Sequence, residues 1–150
     1  MKEIVLVAHN IRSLWNIGSL FRTCDCFGVQ KLILSGYSAA PPRREIAKTA
    51  LGADSWIPWE KAADPKMMLK SLKEEGWRIV GLEITDNAVD VASYEPSSKT
   101  ALLLGNEVAG VSEDLLAMCD DVVRILMFGK KESLNVAVAA GVALHHLRTT

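Results

Sequence analysis

The sequence predicts an α/β protein with a mostly parallel sheet and helices on both faces. Apolar runs of strand length alternate along the chain with stretches of helical period, the pattern of successive strand and helix units. The runs themselves, such as Ile4–Ala8, are apolar throughout and bounded by polar residues, as expected of strands buried on both sides. Two later runs break at glycines, Gly105 and Gly129, and the ends of such strands are where sheets of this kind hold ligands.

Glu3–His9 is the first strand. Ile17–Gly28 follows as a helix, with Leu20, Cys24 and Phe27 at helical spacing and Gly28 as its stop. Lys31–Gly36 is the second strand, Pro41-Pro42 marks a loop, and Arg44–Leu51 is a short helix. Ser55–Trp59 reads as a short strand weakened by Pro58, which has no N–H for a ladder. Pro65–Glu75 is a helix with proline at its start and Gly76 at its end. Arg78–Thr85, Lys99–Leu104 and Val122–Leu126 are further strands. The last two flank a helix around Ser112–Met118, with Ser112 as N-cap and Asp114 in the first turn, favourable to the helix dipole. Ser133 or Leu134 opens the final helix, which runs to about Leu147.

At 150 residues the chain reads as a single domain, 1–150. Chains of this size bury roughly 68–70% of their unfolded surface, so a core forms without staples. Apolar residues at 49% and charged residues at 23% are ordinary for a globular protein. No apolar stretch reaches the roughly 18–20 residues that span a bilayer, and the N-terminus lacks the longer apolar region of a signal peptide. Cys24, Cys26 and Cys119 make an odd set, and neighbours two apart in a helix do not share a face, so they read as reduced thiols of a cytoplasmic protein. The net charge of −1 excludes a strongly basic nucleic-acid binder but leaves room for local patches: Arg43, Arg44 and Lys48, or Lys130 and Lys131. Each cluster reads equally as solvated surface charge.

Three stretches carry the chemistry: Asn16–Thr23 (NIGSLFRT), Leu102–Gly110 (LLLGNEVAG) and Ile125–Gly141 (ILMFGKKESLNVAVAAG). The last of these ends in a helix of small residues. Its Gly141 costs roughly 1 kcal/mol relative to alanine in a helix interior, which suggests a close backbone approach, either internal or to another subunit. A G-x-G-x-x-G after the first strand is lacking, which argues against a dinucleotide-binding enzyme.

The ordered set Asn16-Ile17-Gly18 with Arg22, then Leu104–Glu107 with Gly110, then Ile125, Met127 and Ser133–Val136 resembles the SpoU/TrmH branch of the SPOUT methyltransferases. The resemblance spans nearly the whole chain and implies an α/β sheet whose C-terminal segment forms a trefoil knot. It also implies a pocket for S-adenosyl-L-methionine and a homodimer with the last helix near the interface. The expected reaction is methylation of a ribose 2′-hydroxyl in RNA. Because the first strand starts at residue 3, an N-terminal RNA-binding extension is not expected, which favours tRNA over rRNA as the substrate. A non-catalytic RNA-binding or assembly factor of the same fold is the alternative. No metal is required, because the sulfonium is already activated.

By the same resemblance Arg22 matches the catalytic arginine. Arginine is very hard to deprotonate, so it suits clamping a phosphate and stabilising the developing oxyanion better than acting as a base. Asn16 positions Arg22 or the substrate, or caps the helix that follows. Glu107 orients Arg22, receives a proton, or forms an ion pair. Ser133 and Asn135 complete the catalytic set, with Ser133 also a candidate N-cap. Cofactor contacts, mostly by backbone, fall at Leu82, Gly105, Ile125, Met127 and Leu134. Arg43, Arg44 and Lys130 are the candidate RNA contacts, partners of a surface whose near-neutral charge suggests that two subunits share one RNA.

Overall fold

The computed structural model describes residues 2–150. Its strands are β1 (Glu3–His9), β2 (Lys31–Ser35), β3 (Trp59–Ala62), β4 (Arg78–Leu82), β5 (Val89–Asp90), β6 (Lys99–Leu104) and β7 (Asp121–Arg124). They form one seven-stranded sheet in the order β3-β2-β1-β6-β4-β7-β5, and every pairing is parallel. The helices are α1 (Leu14–Cys26), α2 (Arg44–Ala50), α3 (Pro65–Glu74), α4 (Glu113–Leu116) and α5 (Val136–Thr149).

The strict alternation of strand side chains builds two cores. Ile4, Leu6 and Ala8 of β1 pack with Leu102 and Leu104 of β6 against Ile17, Leu20 and Phe21 of α1 and Ala140, Ala143 and Leu144 of α5. Val5 and Val7 point the other way, with Leu103, toward Met68, Leu69 and Leu72 of α3 and Leu115 of α4. Both faces are therefore dry, which is why the strands are apolar at every position rather than at alternate ones. α1 and α2 cross closely at Gly18, where a Cβ would stand 2.2 Å from the Ile46 carbonyl oxygen.

Several boundaries differ from the sequence reading. α1 starts at Leu14 because Ser13 is extended and its hydroxyl accepts from the Asn16 N–H at 3.2 Å, so Asn16 lies inside the helix and is not its cap. The strand expected over Ser55–Trp59 is displaced past Pro58, whose carbonyl accepts from the Leu32 N–H at 2.9 Å. β4 stops at Leu82 rather than Thr85, and β7 at Arg124 rather than Leu126. The short edge strand β5 carries no sequence signal, since two residues are too few to show a period. α5 begins at Val136, not at Ser133 or Leu134, because Asn135 is its cap: its Oδ1 accepts from the Ala137 and Val138 N–H groups at 2.9 and 3.3 Å. Gly141 needs no close internal approach, since a Cβ there would meet only the Thr23 methyl at an ordinary 3.9 Å.

Candidate active site

The carboxyl ends of β6, β4 and β7 are neighbours in the sheet, and a pocket opens just beyond them. Its first wall is the turn after β6. Asn106 and Gly110 form an isolated antiparallel bridge, and the Asn106 Oδ1 accepts from the Val108 and Ala109 N–H groups, each at 2.9 Å. The Asn106 Nδ2 donates to the Asn10 carbonyl at 2.9 Å and to the Tyr37 hydroxyl at 2.8 Å, which ties the turn to the end of β1 and the loop after β2. Gly110 has φ +71°, and a Cβ at Gly105 would lie 2.3 Å from the Gly110 carbonyl carbon. Both glycines are thus required by the turn itself.

Glu107 links this turn to α1. Its two oxygens accept from the Arg12 and Ser13 N–H groups, each at 2.9 Å, and from the Asn16 Nδ2 at 2.9 Å. The Asn16 Oδ1 in turn accepts from the Asn135 Nδ2 at 3.2 Å. Glu107, Asn16 and Asn135 therefore form one hydrogen-bonded line joining the β6 turn, the start of α1 and the start of α5. Burial alone would raise the Glu107 pKa, but the bonds from Arg12, Ser13 and Asn16 outweigh it and hold the carboxyl below its usual range. An ionised carboxylate with both oxygens engaged is a tether rather than a base at neutral pH. Arg22 is exposed on α1 and shares a shallow cleft with Asn135, Thr23 and Lys48. Among the described residues Arg22 forms no ion pair and no bond to Glu107, so its guanidinium is free for an anionic ligand.

All of the expected cofactor contacts, Leu82, Gly105, Ile125, Met127 and Leu134, line the pocket beyond the strand ends, and Ser133 and Glu107 of the catalytic set join them. Arg22, Asn16 and Asn135 stand outside it, at the adjoining clefts. The structure adds Glu83 and Arg124 to the pocket lining. The Glu83 Oε2 accepts from the Val111 N–H at 2.8 Å and so holds the β6 turn from below. Arg124 donates through Nη1 to the Thr85 carbonyl at 3.4 Å, while its Nε is buried without a partner among the described residues. Glu83 directly follows β4 and Arg124 is the last residue of β7, but their partners Val111 and Thr85 are distant in sequence, so no local pattern pointed to either. The apolar walls from Leu82, Leu104, Ile125, Met127 and Val136, with strand-end amides beside them, suit a flat heteroaromatic ring and a thioether chain.

The candidate RNA contacts are not gathered in one place. Arg43 stands at the N-cap position of α2 and pairs with Glu45 at 3.6 Å, Arg44 is exposed beside it, and Lys130 is exposed on the segment between β7 and α5. No helix among the described residues is long and apolar enough to cross a membrane.

The chain is 32% identical over 145 residues to a tRNA (guanosine(18)-2′-O)-methyltransferase of Aquifex aeolicus, covering 96% of this chain and 68% of that protein. Among solved structures, the AdoMet-bound rRNA methyltransferase of Sinorhizobium meliloti superposes with a TM-score of 0.91 at 28% identity, covering 97% of this chain and 56% of that one. The TrmH/SpoU tRNA modifying enzyme of A. aeolicus gives a TM-score of 0.88 at 29% identity, covering 99% of this chain and 75% of that one. The chain thus spans from about half to three quarters of these relatives' length. Residues 3–145 match the model of the SpoU rRNA Methylase family, and with the relatives above they make this chain a member of that family.

Proposed function

We propose that this chain transfers the methyl group of S-adenosylmethionine to a ribose 2′-hydroxyl of RNA, with tRNA favoured over rRNA. The observation that carries the reading is the line Glu107–Asn16–Asn135, which ties the pocket to the cleft holding an unpaired Arg22. The names of the A. aeolicus and S. meliloti relatives support methylation of RNA, and the first supports tRNA and the ribose oxygen.

When bound, the cofactor supplies an activated methyl group on a sulfonium. Leu82, Gly105, Ile125, Met127 and Leu134 would hold it, and the acceptor hydroxyl would give up its proton to solvent as its oxygen takes the methyl group from sulfur. Arg22 holds the phosphate beside the target ribose and stabilises charge growing on the oxygen. Asn16 and Asn135 fix the start of α1 against the start of α5, and Glu107 serves as their positioning residue. Ser133 sits at the pocket rim, where its hydroxyl suits the cofactor or the substrate. Arg43, Arg44 and Lys130 contribute phosphate contacts.

The active form is a cytoplasmic homodimer of this single domain, its C-terminal segment threaded as a knot. Val138 and Val142 of α5 are 53% and 42% exposed, an apolar stripe beside Gly141 that a second subunit would cover. Calorimetry with S-adenosylmethionine and its demethylated product tests the pocket, and absence of binding by both would overturn the reading. Arg22→Ala is expected to lower methyl transfer by about 10²–10³-fold with cofactor affinity intact. Unchanged transfer would remove Arg22 from the mechanism.

A further inference from the structure

The turn at Asn106–Val108 walls two concavities. One is the cofactor pocket, and the other is a groove lined by Arg12, Trp15, Asn16, Tyr37 and Glu45. Two large aromatic rings stand in this groove largely in solvent, Trp15 at 48% exposure and Tyr37 at 59%. Neither is loosely placed. The Tyr37 hydroxyl accepts from the Asn106 Nδ2 at 2.8 Å, and its backbone N–H donates to the Asn10 Oδ1 at 3.0 Å. The Lys48 ammonium lies 6.0 Å from the centroid of the Trp15 ring system.

The charges around the groove favour an anion. Arg12 is exposed and forms no ion pair among the described residues, and Lys48 of α2 lies over Trp15 at the groove's edge. Of the opposing carboxylates, Glu45 pairs with Arg43 at 3.6 Å, and Glu107 is engaged by Arg12 and Ser13 N–H groups and by Asn16. A floor of Asn, Glu and Arg side chains is a poor fit for the centre of a subunit contact, where charged residues are depleted.

We propose that this groove takes one unpaired base of the RNA, stacked on Trp15 and Tyr37, with the adjoining phosphates on Arg12 and Lys48. Every base offers a π-face, so such a platform reads single-strandedness rather than sequence. The shared turn sets the sugar of the stacked or adjoining nucleotide next to the cofactor pocket. This rests on the methyl-transfer reading of that pocket and adds the residues that select an unpaired acceptor strand.

The test is titration of the full chain with a mixed-sequence single-stranded oligoribonucleotide and with the duplex of the same sequence, followed by anisotropy and tryptophan fluorescence. Single-strand binding is expected to quench Trp15. Trp15→Ala and Tyr37→Ala are each expected to weaken it about 10-fold. Trp15→Phe is expected to retain most of the affinity, and calorimetry should give unchanged affinity for the demethylated cofactor in both Trp15 variants. Unchanged RNA affinity in both alanine variants would overturn the proposal. So would a loss seen only alongside a change of oligomeric state in sedimentation, which would assign the groove to subunit contact. Because the RNA titration needs no methyl donor, failure of the natural sequence to bind cofactor would sink the methyl-transfer reading separately.

Discussion

The β6 turn, Asn106–Gly110, and the segment from Leu126 to Leu134 wall the same pocket but are held in different ways. The first closes on itself through the Asn106–Gly110 bridge, is braced by Glu83 and is fastened to α1 by Glu107. The second forms no hydrogen bonds, backbone or side-chain, among the described residues, and its Phe128 is 94% exposed. The same contrast shows in their glycines. A Cβ on Gly105 collides with Gly110 at 2.3 Å, whereas one on Gly129 meets nothing within 4 Å. One wall is pre-formed, and the other carries unpaired amides and carbonyls that a ligand can satisfy. That difference makes the first wall the rigid side of the pocket and the second the side with room to adapt to a ligand.

The largest effect is expected at Gly110. Its φ of +71° strains any side chain, and a Cβ would stand 2.0 Å from the Glu83 Oε2. Gly110→Ala should cost about 2–4 kcal/mol of stability, the left-handed penalty plus overpacking, read from urea denaturation. A loss below that range would mean that the β6 turn is as adaptable as its counterpart. Next comes Asn106→Ala, which removes both acceptor bonds to the turn and both donor bonds to its neighbours, and is expected to cost about 1–3 kcal/mol.

These two residues also mark what sequence could and could not tell. The apolar runs fixed β1, β2, β6 and the sandwich of helices, because a strand buried on both faces has an unmistakable composition. Leu82, Gly105 and Ile125 reached one pocket because they sit at strand ends, which converge in a parallel sheet, while Met127 and Leu134 reach it from the segment between β7 and α5. The errors arose where several polar residues compete for one cap. Ser13 and Asn16 both precede or open α1, Ser133 and Asn135 both precede α5, and only backbone conformation chooses between them. Glu83, Arg124 and the tether role of Glu107 depend on partners distant in sequence, which no local pattern encodes.

Acid should loosen the braced wall selectively. The folded-state pKa of Glu107 lies below its ordinary 4.5, because hydrogen bonds to the carboxylate outweigh burial. Its contribution is therefore fully present above the ordinary glutamate pKa and is lost as pH falls through the lowered folded value. Glu107→Gln should flatten that part of the stability profile, with chemical denaturation between pH 3 and pH 6 as roughly the window to compare. Amide exchange at Arg12 and Ser13, which donate to the carboxylate, should quicken in the same variant. An acid limb identical to that of the natural sequence would place the tether elsewhere.

The smallest effect is expected at Gly129. It lies outside the left-handed region, and its Cβ position is open. Gly129→Ala should leave stability within about 0.5 kcal/mol, since a surface change without a packing partner seldom does more. The restricted unfolded chain could even favour the variant slightly. The informative readout is ligand-dependent. The demethylated cofactor should slow amide exchange across residues 126–134 far more than across 106–110, because the former have unpaired amides throughout while all but Glu107 of the latter are already bonded. Alanine at 129 should leave that protection in place while narrowing the range of conformers the segment visits. Equal protection of both walls would show that the β6 turn is also completed by the ligand, and the division between a pre-formed and an adaptable wall would fall.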